Sequence, residues 1–300
     1  LALKPSWDSD ILGGASTRPP KPTMKVLGGL RTLRHTMRRT IAIVNQKGGV
    51  GKSTTAVNLG ASLALLGHRV LLCDLDPQGN ATSGLGAPKA PASDSTYGVL
   101  LEGRSISETV VQTAVNGLFL LPASPHLAGA EVELVPLPAR EKRLREALET
   151  SAESYHLVLL DCPPSLGLLT INALSAASEV LIPIQCEYYA LEGLSQLMES
   201  VRLVQRHLNP ALEITGVLLT MYDARTRLSD QVATEVRMFF KDKVYRTIVP
   251  RSVRLAEAPS YGMPVAFYDP SSRSTEAYMD LAKEVLARGR DKVGLVERIT

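Results

Sequence analysis

Residues 41–55 read IAIVNQKGGVGKSTT, and the types gathered at 47–54 are those that hold a phosphate. Gly48, Gly49 and Gly51 let the backbone turn tightly with N–H groups aimed at phosphate oxygens, where any Cβ would obstruct. Lys52 has the reach to meet the β and γ phosphates, and the Ser53 hydroxyl is suited to ligate Mg²⁺. Val50 and Thr54 complete a stretch whose helical end closes over the anion. The common pattern G-x-x-x-x-G-K-[ST] asks for glycine five residues before Gly51, but Gln46 stands there and Lys47 heads the loop. A lysine that far round the loop serves its own phosphates poorly and invites the idea of reaching a neighbouring subunit's nucleotide.

Two more segments carry carboxylates. RVLLCDLDPQGN at 69–80 is an apolar run ending in Asp74 and Asp76, and YHLVLLDCPP at 155–164 is another ending in Asp161. Carboxylates at the C-terminal ends of parallel strands sit where ligands bind in open α/β sheets. Asp161 fits the acid that holds Mg²⁺ through water, while Asp74 or Asp76 fits the group that orients an attacking water, with Asp76 the first choice. An aspartate at a strand end also caps helices and turns. Three apolar runs ending alike argue for one site.

These residues need a scaffold to converge. A strand at 41–44 feeding a helix at 54–66 begins it, and apolar runs at 118–121, 157–160, 180–184, 214–220 and 244–249 read as further strands. Amphipathic stretches alternate with them, and 274–288 reads as a closing helix. The expected fold is α/β: a doubly wound, mostly parallel sheet with helices on both faces. With 300 residues, 45% of them hydrophobic, one large domain over 37–300 can bury its own core. Residues 87–95, APKAPASDS, read as a loop within it. No apolar run approaches the ~18 residues that span a bilayer, and a soluble protein is expected.

Cys73, Cys162 and Cys186 fall in or just after apolar runs and form no C-x-x-C pair. They read as packed thiols and argue against a disulfide framework or an iron–sulfur reductase. Residues 1–36 carry Pro5, Pro19, Pro20 and Pro22 without lasting periodicity, and read as a disordered extension or an overextended start, since Met37 stands just before the first strand. That segment holds six Lys and Arg against two Asp and Glu, so the rest has 27 basic and 28 acidic residues, a net charge of −1. The chain's overall charge of +3 is thus poor evidence for nucleic-acid binding.

A local patch carries that argument instead. Between residues 221 and 254 lie Arg225, Arg227, Arg237, Lys241, Lys243, Arg246, Arg251 and Arg254, against Asp223, Asp230, Glu235 and Asp242. On charge alone this is a solvated helix face or a surface that neutralises backbone phosphates, doubled in a dimer. Neither aromatic interleaving nor a helix-turn-helix accompanies it, so base readout is not suggested.

The motifs KGGVGKST (47–54), DLDPQGNATSGLG (74–86), LAGAEVEL (127–134), DCPPSLGLLTINAL (161–174), QCEYYALEGLSQL (185–197), TMYDART (220–226) and VPRSVRLAEAPSYG (249–262) together make the chain resemble the ParA-type chromosome-partition ATPases, close to the Soj branch of the deviant-Walker MinD/ParA group. The resemblance runs from about residue 40 to 288. It implies ATP and Mg²⁺ as ligands, hydrolysis by Lys47, Lys52 and Asp76, an ATP-dependent homodimer in which Lys47 crosses to the partner's phosphates, and a ParB-type stimulating partner. It also implies that Arg225 and Arg254 bind nonspecific double-stranded DNA, that Pro250 and Ser252 lie in the adenine loop, although relatives commonly have Asn where Ser252 stands, and that the protein is cytoplasmic and nucleoid-associated. MinD-like relatives instead hold membranes with a C-terminal amphipathic helix. Residues 289–300 carry mixed charges without Phe or Trp, which weakens that alternative.

Overall fold

The computed structural model describes residues 39–151, 154–188 and 193–296, with backbone alone from residue 290. The expected extension at 1–36 lies outside the described residues.

Eight strands form one sheet: β1 (Arg39–Ile43), β2 (Val70–Asp74), β3 (Val111–Gln112), β4 (Leu118–Leu121), β5 (Leu157–Asp161), β6 (Glu179–Gln185), β7 (Glu213–Tyr222) and β8 (Val244–Pro250), in the order β3-β4-β2-β5-β1-β6-β7-β8. Every pairing is parallel except that of β3 with β4. β2 and β5 are buried at every position, which is why they read as unbroken apolar runs: both faces of the sheet are covered. β3 was not foreseen from the sequence. It has two residues, both exposed, and so carries no hydrophobic pattern.

The helices are α1 (Lys52–Leu65), α2 (Asn80–Gly84), α3 (Ile106–Thr109), α4 (Leu127–Glu133), α5 (Arg143–Thr150), α6 (Leu168–Ala176), α7 (Leu194–His207), α8 (Arg227–Phe240), α9 (Val253–Glu257), α10 (Val265–Tyr268) and α11 (Arg273–Val296). Successive strand residues point to opposite faces, so β1 feeds two cores. Ala42 joins one with Leu144, Leu169, Leu197 and Val236 of α5 to α8. Ile41 and Ile43 join the other with Leu59 of α1 and Leu281 of α11.

α1 lies between the sheet and α11, buried almost all round. Its Gly60 is so close to β4 that a Cβ would stand 3.2 Å from Leu118 Cδ1. α11 runs on to Val296, past the 274–288 expected. Gly289, which reads as a helix end, is needed for packing: the Arg39 guanidinium occupies its Cβ position, with Nη1 2.3 Å away. Arg39 in turn donates to Glu179 at 2.6 and 2.8 Å and to the Val285 carbonyl at 2.8 Å, joining β1, β6 and α11.

This order places the candidate residues together. β1 is flanked by β5 and β6, with Ile43 opposite Asp161 and Ile41 opposite Glu179, while Asp74 of β2 also lies opposite Asp161. The crossovers diverge around β1, the arrangement that opens a crevice at the strands' C-terminal ends.

Candidate active site

The loop between β1 and α1 is pinned from three sides. Asn45 Oδ1 accepts from the Lys47 N–H at 3.0 Å while its Nδ2 donates to the Pro183 carbonyl at 2.8 Å, fixing the loop's entry to β6. The Thr220 hydroxyl of β7 donates to the carbonyl of buried Val50 at 2.9 Å. Gly49 and Gly51 adopt φ of +75° and +89°, left-handed values that favour glycine. Gly48 differs: its φ is not positive, and a Cβ there would meet nothing within 4 Å. Its own fold does not require glycine.

Lys52 is the first residue of α1 and is buried, its Nζ donating to the Lys47 carbonyl at 3.2 Å. Burial lowers its pKa, and the Asp161 and Asp76 carboxylates oppose that shift. A bound anion would supply the missing counter-charge. Lys47 is half-buried, and Ser53 and Thr54 line the cleft beside Lys52.

The three aspartates have separate environments. Asp74 is fully buried, its carboxylate accepting from the Asp76 N–H at 3.2 Å, the Thr82 N–H at 2.8 Å and the Thr82 hydroxyl at 2.7 Å. Thr82 Oγ1 also accepts from the Ala123 N–H at 2.9 Å, so Asp74 ties β2 to α2 and to the end of β4. Burial pushes its pKa up to about 6 against those donors. Asp76 lines the cleft, with Oδ1 accepting from the Gln78 N–H at 2.9 Å. Asp161 is fully buried, and neither of its oxygens has a hydrogen bond of normal geometry. Burial drives its pKa well above the carboxylate range and the Asp74 charge adds to this, with the Ser53 hydroxyl and Lys52 pulling the other way. An orphaned buried carboxylate is costly; one beside a hydroxyl, at the mouth of a phosphate loop, suits a hydrated cation. Among the described residues no three His, Cys, Asp or Glu converge on a metal position. Mg²⁺ takes few protein ligands and keeps water and phosphate oxygens, so Ser53 and Asp161 are a donor set that it could use.

The cleft holds about 400 Å³. Beyond the loop its walls include Asn58, Met221, Pro259 and Met263, which sequence reasoning missed. Asn58 accepts from the Val265 N–H at 2.7 Å and donates to the Thr54 carbonyl at 2.7 Å, bracing α1 against α10. Pro250 and Ser252 are not among the lining residues; Pro250 ends β8 opposite Tyr222, and the Ser252 hydroxyl caps α9 by accepting from the Leu255 N–H at 3.4 Å.

Arg225 and Arg254 follow the adjacent strands β7 and β8, Arg225 on a loop and Arg254 in α9, and an Arg251 N–H to Tyr222 carbonyl bond of 2.9 Å joins the two strand ends. Arg225 is 87% exposed and grips Asp223 with two bonds of 2.8 and 2.7 Å, which hold the Asp223 carboxyl well below its usual range. Arg254 contacts Glu257 at 3.1 Å and Asp269 at 3.4 Å and lies over the Tyr268 ring. The basic face is therefore partly neutralised by its own carboxylates.

The AAA domain family matches residues 38–214. The sporulation initiation inhibitor protein Soj of Bacillus subtilis is 60% identical over 253 residues, covering 84% of this chain and 100% of that protein. The chromosome partitioning protein ParA of Myxococcus xanthus is 53% identical over 257 residues, 86% of this chain and 91% of that one. Among solved structures, cobyrinic acid a,c-diamide synthase of Mycobacterium smegmatis with bound ADP and magnesium superposes with a TM-score of 0.74 at 38% identity, covering 83% of this chain and 94% of that one.

Proposed function

Because the chain belongs to the Soj/ParA family of chromosome-partitioning ATPases, we propose that it works as an ATP-driven switch. ATP and Mg²⁺ join two copies face to face, the pair holds double-stranded DNA without regard to sequence, and hydrolysis stimulated by a ParB-type protein releases it. The synthase name of the similar solved structure denotes another reaction, but that likeness is 38% against 60% for Soj. The observation that carries the ATPase site is Asp161, a buried carboxylate with both oxygens unpartnered beside the phosphate loop.

In this reading the backbone N–H groups of Gly48, Gly49, Val50, Gly51 and Lys52, with the Lys52 ammonium, hold the phosphates. Ser53 would ligate Mg²⁺ directly and Asp161 through water. The bound cation neutralises charge on the phosphate oxygens. Asp76, one oxygen of which accepts from Gln78, keeps the other for the attacking water and orients it in line with the bond to be broken. Gly48 is exposed and a Cβ there would meet nothing within 4 Å, which leaves this face open for a second copy to dock on, with Lys47 crossing to the partner's nucleotide. Pro250 and Ser252 are proposed to border the adenine, and Arg225 and Arg254 to contact DNA phosphates, so that the protein works on the nucleoid in the cytoplasm.

Retention on plain DNA against retention on anionic liposomes, each with and without ATP, tests the switch. Retention on DNA of unrelated sequences, only with ATP, is expected. ATP-dependent liposome binding without DNA binding would favour a MinD-like membrane role. Among the described residues no helix is long and apolar enough to cross a membrane.

A further inference from the structure

From Asp161 the chain runs through Cys162, Pro163, Pro164 and Ser165 to Gly167, the residue before α6, and Pro164 lines the cleft. The far end of this loop is set by α4. A Cβ on Gly167 would stand 2.0 Å from Glu131 Oε1, 2.2 Å from Oε2 and 2.3 Å from Cδ, so the Glu131 carboxylate occupies the place of the missing side chain. Gly167 has φ −80°, which any residue adopts. A side chain there would displace the Glu131 carboxylate, while the backbone itself would accept one.

Two further observations concern the same carboxylate. Glu131 Oε1 is buried without a hydrogen-bond partner, a state that folds do not retain without compensation. α6 starts with no side-chain cap and no acidic residue in its first turn, so its leading N–H groups and positive dipole end lack a local anion. Glu131, from another helix, seats its carboxylate against Gly167, the residue before that first turn. The Thr170 hydroxyl donates to the Ser165 carbonyl at 2.6 Å, so the loop moves with the first turn of α6.

We propose that Glu131 is a positioning residue for ATP hydrolysis: its carboxylate, seated against Gly167, fixes the start of α6 and with it the loop that leaves Asp161 at the end of β5 and brings Pro164 to the cleft. The proposal rests on the reading of Asp161 as the residue that holds the cation.

The test is the ATPase rate of the full chain titrated with Mg²⁺, alongside nucleotide affinity measured with a fluorescent ATP analogue. Glu131→Gln keeps the volume and removes the charge, whereas Gly167→Ala intrudes on the carboxylate. Each is expected to lower kcat about tenfold and to raise the Mg²⁺ needed for half-maximal rate, as loss of outer partners at metal sites does, with nucleotide affinity changed less than about twofold. Glu131→Ala with Gly167→Ala removes the intrusion and is expected to outperform Gly167→Ala alone, a coupling that separate sites would not give. An unchanged kcat and Mg²⁺ requirement in Glu131→Gln, or a Gly167→Ala defect of equal size whether residue 131 is Glu or Ala, would overturn the proposal. If Gly167→Ala fails to fold, the isosteric Glu131→Gln decides alone. Asp161→Asn separates the two claims: an unchanged Mg²⁺ requirement there overturns the reading of Asp161, and a raised one there beside a normal Glu131→Gln overturns this inference only.

Discussion

The C-terminal edge of the sheet handles charge in two opposite ways. Around the glycine loop, Lys52, Asp74 and Asp161 are buried and held by β1, β2, β5 and α1. Past β7 and β8, Arg225 on a loop and Arg254 in the short helix α9 stand exposed, each already engaged by a carboxylate of its own chain. A buried charge interacts strongly because water does not screen it, so one atom matters. An exposed ion pair contributes little and weakens with salt. Chemistry therefore concentrates in single side chains on the first side, and binding on the second must come from many weak contacts summed over two copies.

The sharpest test of that contrast is Asp76→Ala. Turnover should fall by about 10²-fold or more, the scale of losing a positioned acid–base group, while ATP is still bound and the ATP-joined dimer persists. Normal steady-state turnover would remove Asp76 from its role and put Asp74 next.

Next in size is the loop's outer face. A Cβ at Gly48 would meet nothing within 4 Å, so Gly48→Val should bind nucleotide yet fail to pair, and Lys47→Ala should lose the contact to the partner's phosphates. Sedimentation with a non-hydrolysable ATP analogue should find both variants monomeric; stable dimers of either would contradict the face-to-face arrangement.

The basic face should respond more gently. Replacing Arg225 and Arg254 together by alanine removes about four phosphate contacts from a pair of copies, which flattens the log–log salt dependence of DNA binding by roughly 3 to 4 units. The loss should be alike on unrelated duplexes, with ATP-driven dimerisation intact. An unchanged slope, or a loss confined to one sequence, would refute nonspecific backbone binding by these arginines.

The smallest effect is expected at Asp74, which is buried but structural. Its pKa rises from 3.8 to about 6, so between those values the folded chain keeps a proton that the unfolded chain has released. Stability from this group is then full near pH 4 and falls as pH rises through 6. The thermal midpoint of the wild type relative to Asp74→Asn should drop by about 3 °C or more between pH 4.5 and 7, since each kcal/mol moves a domain of this size by roughly 2–4 °C. A difference that stays constant or grows with pH would show that Asp74 does not titrate there.

What the sequence made legible was contiguous. The glycine loop lies within eight residues of chain, and β2 and β5 announce themselves as apolar runs with an aspartate at the end. What separates the three aspartates was not legible, because it depends on Thr82, on the Ala123 N–H and on which oxygens stay unpartnered. Those are contacts between distant segments. Likewise nothing in the motif at 161–174 shows that Glu131 lies in the Cβ position of Gly167, and Gly289 reads as a helix end until Arg39 is seen beside it. Met221 and Pro259 lie within family motifs and Met263 beside one, but nothing in those motifs marks them as cleft walls; they are recognisable as such only after β7 and the α9–α10 segment fold over the loop.

The central place of β1 has a consequence for how the protein is born. The strand that leads into the glycine loop has β5 and β6 as its neighbours, and its Thr40 N–H bonds the Ser178 hydroxyl, 138 positions later. A ribosome delivers the glycine loop early but the strands that shape it late, and pairings so far apart in sequence close slowly. Nascent chains that stop before β6 carry the whole phosphate-binding sequence without the sheet that gives it form. Nucleotide capture by the growing chain is therefore expected only after β6 has joined the sheet and Thr220 of β7 has reached the Val50 carbonyl.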